Sequence, residues 1–408
     1  MTRRLAKTPR YFYVGNFFSD RVKQQREIST DSPAATGKVA RICKAARDAG
    51  GDVWIISLGR GRTRGTGRRY GATAGRIGGV PALYLPFNDK PVLTHLDSIL
   101  SLLTLVLRCT DRRSVLVFYN FTFHYLLALV VSRILGRRCI LDIEDGFRTD
   151  DRSLRASANL FLLKTYNLFC NGGAMLASRA LGEQSPLRAS YVCYGVSEVH
   201  QTPRQWSGPL QVLLGGSLLV DTGAELFVEA LRLLRDIRPQ ALHRLKFVVT
   251  GFGDRAELIE RLAGEEMGEF LQFHGKVTGA QYREILRGSH LGLCLKLPSS
   301  SMGATTFPSK VVELASHGLL VVSTRVSDVP LLFDESTALL LDEATPAALV
   351  SALLCVVDDP ERFHGVALAG QGRVAATLSA ERVGAEVMRF WQGELPVQNS
   401  ASPLGDGC

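Results

Sequence analysis

Paired cysteines are what this 408-residue chain most plainly lacks: its eight, at positions 43, 109, 139, 170, 193, 294, 355 and 408, include no C-x-x-C. Such spacing argues against a disulfide framework and against a zinc site. Most of them sit in apolar runs, where a free thiol behaves as a small hydrophobe, and reduced thiols in a cytoplasmic protein are expected. Long apolar runs are missing too. The charge-free stretch Ser114 to Ser132 is interrupted by Asn120, Thr122 and His124, so it reads as strand, turn and helix, and no transmembrane span is expected. The basic start MTRRLAKTPRYFYVGN has no apolar core of signal-peptide length. There is no H-E-x-x-H, nucleophile elbow, Walker loop or paired-carboxylate hydrolase pattern, and no metal is expected.

Acidic residues are scarce in one half only. Residues 1–205 hold 31 Lys and Arg against 15 Asp and Glu, a net of +16 within an overall +9, which leaves −7 for residues 206–408. That asymmetry speaks of partners rather than of fold: anionic lipid, a phosphorylated acceptor or nucleic acid. Nucleic acid is disfavoured, because the arginine-rich stretch 59–79 offers only Tyr70 for base stacking.

The length suits two to three domains, each with its own core. Apolar strands at 10–14, 52–58, 114–119, 139–143 and 174–178 alternate with helices at 33–46, 93–107, 123–135 and 157–170. A polar loop of about seventeen residues follows the first strand, long enough to suggest function. Residues 59–79 hold eight Gly and six Arg and are expected to form a mobile basic loop rather than packed structure. Residues 197–209, with two prolines, read as a linker. Strands at 210–214, 245–250, 270–273, 291–295, 319–323 and 338–341 then alternate with helices again. The expected class is α/β, with two doubly wound, Rossmann-like domains facing each other across a cleft. The expected division is residues 1–196, residues 210–378, a C-terminal helix at 379–395 packing back on the first domain, and a flexible tail at 396–408.

The most informative segment is FPSKVVELASHGLLVVSTRVSDVP, residues 307–330. It reads as a loop, a helix opening at Pro308, Ser309 and Lys310, a stop at Gly318, and a buried strand. A helix start of this kind attracts anions through its unpaired amides, and Lys310 adds a full charge. Glu313, three residues on, suits a sugar diol. The arrangement reads as a nucleotide-diphosphate site.

The same order resembles the sugar-donor signature "PSK…E…G.PVV.T…G.P" of GT-B glycosyltransferases of the retaining family 4 type, fairly specifically over 211–360 and more weakly in the N-terminal half. The resemblance implies that the second domain binds the nucleotide-sugar through Gly216 and Ser217, Gly251 and Gly253, Lys296, Phe307, Ser309, Lys310, Val311 and Glu313. Lys296 at a strand end is equally consistent with a solvated lysine. Two departures stand out. The turn GSLLVDTG carries Ser217 and Thr222 where members commonly place Arg and Lys, and Thr305 stands where a glutamate is common. Lys310 is then the main side-chain cation for the diphosphate.

For the first domain the resemblance implies acceptor contacts from Gly15 and Asn16, with Asn120 and His124 following another strand. His124, between Phe123 and Tyr125, also reads as a packed core histidine. Glu144 and Asp145 end a strand and join Lys310 as catalytic candidates, although Asp145 before Gly146 equally fits a turn cap. The expected activity is a retaining, metal-independent, cofactor-free hexosyl transfer from a nucleoside-diphosphate-sugar to a glycan or lipid-diphosphate-linked acceptor. The expected setting is cell-surface or exopolysaccharide biosynthesis at the inner face of an anionic membrane. A nucleotide-sugar epimerase and a non-catalytic partner of the same fold are the alternatives.

Overall fold

The computed structural model describes residues 9–29, 31–61, 65–144, 146, 153–185, 189–300, 303 and 305–394. It divides into two compact units, Met1–Val196 with Ala380–Cys408, and Ser197–Ser379.

The first unit begins with β1 (Arg10–Gly15), α1 (Asp20–Gln25), α2 (Pro33–Asp48), β2 (Asp52–Ser57), β3 (Arg69–Tyr70), β4 (Thr73–Ile77), β5 (Val80–Tyr84) and β6 (Phe87–Asn88). It continues with α3 (Pro91–Cys109), β7 (Val115–Tyr119), α4 (Phe123–Ile134), β8 (Arg138–Ile143), α5 (Leu154–Phe169), β9 (Ala174–Leu176), α6 (Leu181–Gln184) and β10 (Ser190–Val192). Eight strands form one sheet in the order β10-β9-β8-β7-β1-β2-β5-β4. Only β4 runs antiparallel, against β5. Along β1 the side chains alternate, as a pleated strand requires. Phe12 and Val14 join a core with Leu102, Leu105, Tyr125, Leu129 and Leu163 of α3, α4 and α5. Tyr11 and Tyr13 instead meet Trp391, with ring centroids at 5.6 and 6.2 Å.

The second unit runs β11 (Leu210–Ser217), α7 (Ala224–Ile237), β12 (Leu245–Phe252), α8 (Ala256–Arg261), β13 (Leu271–Phe273), α9 (Gly279–Gly288) and β14 (Leu291–Cys294). It ends with α10 (Lys310–Ser316), β15 (Leu320–Thr324), α11 (Val329–Leu332), β16 (Leu339–Leu341), α12 (Pro346–Asp358) and α13 (Pro360–Leu378). Its sheet has the order β13-β12-β11-β14-β15-β16, and every pair is parallel. The last helix, α14 (Ala380–Gln392), belongs to the first unit and lies on α2. A side chain on Gly384 would meet the Ala45 carbonyl oxygen at 2.3 Å, so the two backbones touch there.

Two expectations need correction. The polar stretch after β1 is not all loop: it contains α1 and buries Phe17, Phe18 and Val22. Gly59–Gly79 is not an unpacked loop either, residues 62–64 aside. Gly78 and Gly79, at φ +54° and +83°, make the two-residue turn that a β4–β5 hairpin favours. The buried Arg26 holds this region by donating to the carbonyls of Gly59 (2.7 Å), Leu85 (2.9 Å) and Gly71 (2.8 Å). Arginine-rich composition had masked a Gly-Gly hairpin signal.

In each sheet the strand order reverses beside the first strand of its unit: between β1 and β7, and between β11 and β14. The carboxyl ends at such reversals are where open α/β sheets bind ligands.

Candidate functional site

In the second unit, β11 and β12 finish with bare backbone. Gly216 has φ +118°, and Gly251 has φ +139°. A side chain on Gly251 would approach the Gly216 carbonyl oxygen to 1.8 Å, so no larger residue fits between these strand ends. Gly253 lies just beyond, against the Leu218 carbonyl. The turn after β11 is closed by Thr222, whose hydroxyl donates to the Ser217 carbonyl at 2.6 Å.

Lys310 reaches this strand end. A Cβ on Gly216 would lie 3.8 Å from its Nζ. The ammonium donates to the Tyr282 hydroxyl at 3.0 Å, pairs with Glu313 Oε2 at 3.2 Å, and lies 4.9 Å from the centre of the Tyr282 ring. The Tyr282 hydroxyl in turn donates to Glu313 Oε2 at 3.2 Å. Burial alone would lower the Lys310 pKa, but the Glu313 carboxylate and Tyr282 outweigh it and hold the pKa above its ordinary value. Burial also raises the Tyr282 pKa, only partly opposed by Lys310. At neutral pH Lys310 is therefore an ammonium and Tyr282 a neutral phenol. Tyr282 was not singled out from the sequence. It lies in α9, in an ordinary amphipathic pattern, and nothing in its neighbours marks it.

The helix begins at Lys310, two residues after Pro308, because the entry is a tight turn. The Ser309 amide donates to Phe307, Val311 to Pro308 and Val312 to Ser309, at 3.0, 3.0 and 3.2 Å. Amides expected to face an anion thus already have carbonyl partners. Phe307 and Val311 are buried, so Val311 offers a ligand no more than backbone, whereas the Ser309 side chain is exposed. Lys296 Nζ donates to the Thr306 carbonyl at 3.2 Å, tying the end of β14 to the loop before α10.

A cavity of about 250 Å³ opens at the carboxyl ends of β1, β2 and β7 in the first unit. Asn16, Asn120 and His124 line it, together with Ser32, Arg60 and Thr122. Gly15 is buried, and the Phe17 ring occupies the space a side chain there would need. Asn16 grips the Arg60 backbone twice, Nδ2 to its carbonyl at 2.9 Å and Oδ1 from its amide at 3.1 Å. The Arg60 guanidinium donates to His124 Nε2 and lies 3.2 Å from His95 Nδ1. His124 Nδ1 meets the Thr122 hydroxyl at 2.9 Å. Burial, then the charges of Arg60 and His95, push the His124 pKa down to about 3, so the ring is neutral.

Asn120 adopts a left-handed conformation, φ +55°, and its Oδ1 accepts the Glu144 amide at 2.9 Å. Glu144 pairs with the buried Lys38 at 2.7 Å. Beside them Asp142 is fully buried and accepts from the Tyr13 hydroxyl; burial and then the Glu144 charge raise its pKa well above the usual carboxylate range. Glu144 is thus engaged by a cation, and Asp145 lies outside the described residues. Lys38, in the middle of α2, had no distinguishing sequence signal, whereas Asp142 lies in the same acidic strand end as Glu144. Among the described residues no group of three or more His, Cys, Asp or Glu side chains is placed to hold a metal ion.

Residues 209–359 match the family model described as Glycosyl transferases group 1. HepE of Anabaena, solved with UDP, is 14% identical, with a TM-score of 0.67 over 94% of this chain and 100% of that one. The sucrose-phosphate synthase of Thermosynechococcus elongatus is 12% identical, with a TM-score of 0.68 over 94% and 98%. An α,α-trehalose 6-phosphate synthase of Burkholderia multivorans is 11% identical, with a TM-score of 0.62 over 95% and 97%. None of the curated proteins compared is similar to the chain in sequence. The chain therefore has the GT-B fold of two Rossmann-like domains, and within its second unit residues 209–359 are similar to the group 1 glycosyl transferases.

Proposed function

We propose that this protein transfers a sugar from a nucleoside-diphosphate-sugar to a glycan or lipid-linked acceptor in cell-surface or exopolysaccharide biosynthesis. The observation that carries this reading is the Lys310–Tyr282–Glu313 cluster against Gly216, inside the segment that matches the glycosyltransferase family. Lys310 and the adjacent strand-end backbone stabilise the leaving diphosphate, Glu313 holds the ribose, and Lys296 and Ser309 complete the set of donor-binding residues. HepE was solved with UDP and with UDP-glucose, so uridine nucleotides are the first sugar donors to try. The chemistry is read as metal-independent, with the Lys310 ammonium neutralising the departing charge, and as retaining, which the family resemblance implies. The first unit takes the acceptor in the cavity lined by Asn16, Asn120 and His124.

A membrane-facing role for the first unit rests on a separate feature. The outer faces of α3, α4 and α5, which lie side by side, expose Val92, Leu100, Leu107, Ile134, Phe161 and Leu168. These three helices carry four basic residues and a single carboxylate, Asp97. An apolar face fringed by cations suits the anionic surface of an inner membrane leaflet.

The test is a panel of nucleotide-sugars scored for thermal stabilisation, followed by product analysis with and without glycan acceptors. Transfer with at least one sugar donor is expected. Interconversion of the nucleotide-sugar without acceptor would replace this reading with an epimerase, and no stabilisation by any nucleotide-sugar would support a non-catalytic partner.

A further inference from the structure

Arg60 is a partly buried cation whose charge no carboxylate answers among the described residues. Three other cations that lie near candidate sites or hold the fold have partners: Lys38 pairs with Glu144, Lys310 with Glu313, and Arg26 donates to three carbonyls. Among the described residues no carboxylate pairs with Arg60, and its side-chain neighbours are the imidazoles of His95 and His124. A guanidinium does not lose its proton, so a positive charge persists in a partly desolvated site, which is costly unless an anion arrives.

The site is also built in advance. Asn16 fixes the Arg60 backbone from both sides, and Thr122 fixes the His124 imidazole that receives the guanidinium. Ser32, Asn120 and Thr122 bring further hydrogen-bonding groups to the same cavity, and among the described residues no carboxylate lines it. Asn120 Oδ1 is committed to Glu144, which leaves its amide hydrogens as donors. Several donors converging with one forked cation match the oxygens of a phosphoryl group better than those of a neutral sugar.

We propose that this cavity is a phosphoryl subsite, in which Arg60 binds the phosphate or diphosphate of the acceptor. The inference rests on the reading of the first unit as the acceptor domain. It narrows the acceptor to a phosphorylated one, either a soluble sugar phosphate or a polyprenyl diphosphate carrier.

The test is calorimetric titration of the full chain with inorganic pyrophosphate, in a Lys310→Ala background that removes the competing diphosphate site. Binding is expected there, weakened about tenfold or more by Arg60→Ala, as befits loss of charge-assisted hydrogen bonds. Arg60→Lys keeps the charge without the fork and should weaken it several-fold, which covers the case where Arg60→Ala does not fold. Competition by a hexose phosphate or by a short-chain polyprenyl diphosphate supports the subsite, and the stronger competitor identifies the source. Pyrophosphate binding that ignores both Arg60 variants, acetate competing as well as phosphate, or competition by neither acceptor class overturns it. Nucleotide-sugar binding through Lys310 alongside Arg60-independent phosphate would sink the subsite alone. Arg60-dependent phosphate binding with no nucleotide-sugar binding would sink the transferase reading and leave the subsite standing.

Discussion

Lys310 has three ammonium hydrogens, and the cluster occupies two of them, on Tyr282 and Glu313. A diphosphate can take the third and compete with Glu313 for the charge, which frees the carboxylate for a sugar hydroxyl. Lys310→Ala should therefore weaken nucleoside-diphosphate binding about ten- to a hundredfold, the usual cost of a lost charge-assisted bond. Tyr282→Phe, which removes one bond and keeps the ring, should cost less than tenfold. Equal losses for both, measured by calorimetry, would mean that Tyr282 rather than Lys310 holds the ligand. At His124 the sign of the pH dependence follows from its depressed pKa. The unfolded imidazole takes up a proton near 6.5 and the folded one only near 3, so this contribution to stability is present above 6.5 and lost as the pH falls towards 3. The wild-type stability minus that of His124→Gln should fall with acidification across this window, by at most about 1.4 kcal/mol per pH unit. Urea melts between pH 4 and 7 measure it, and a flat difference would contradict the neutral, buried imidazole.

At the scale of elements, one contact of bare backbone and one buried side chain hold the architecture. Gly251→Ala forces a methyl onto the Gly216 carbonyl at 1.8 Å and should destabilise the second unit severely, seen as a lowered melting temperature. On the other unit α14 is fastened by Trp391, fully buried against Tyr11 and Tyr13 with its indole N–H on Met175 Sδ. Trp391→Ala should cost about 3–5 kcal/mol in a denaturant melt; a loss below 1 kcal/mol would mean that α14 is not integral to its unit. These elements also mark what was legible in the sequence. Strands such as 210–217 and 320–324 announce themselves as apolar runs bounded by glycine, so the alternation and the parallel class could be read directly. The β4–β5 hairpin could not, because arginine and glycine composition hid a short amphipathic pair. Residues 307–313 and the strand-end glycines were readable because their motif is local. Tyr282, Arg60, His95 and Lys38 were not: each reaches its site from a different segment, and only the packing of strands and helices makes them neighbours.

For the molecule as a whole, the charge division and the fold tell one story. The basic half holds the apolar face of α3, α4 and α5, and α3 is long and apolar enough to cross a membrane by itself. It packs side by side with α4 and puts Leu102, Leu105 and Val106 in the core, and the proposed function lays its outer face on a bilayer. The chain should co-sediment with vesicles containing anionic lipid and much less with neutral ones. The double variant Leu100→Ser, Phe161→Ser should reduce that binding about tenfold, from the apolar area removed; unchanged sedimentation would contradict the proposed surface. The central claim is that the second unit binds a nucleoside diphosphate through Lys310 and Glu313. The most direct measurement is calorimetric titration of the best-stabilising nucleoside diphosphate into wild type, Lys310→Ala and Glu313→Ala. A one-to-one complex in wild type, weakened at least about tenfold in each variant, is the predicted result. Unchanged affinity in both variants would contradict it.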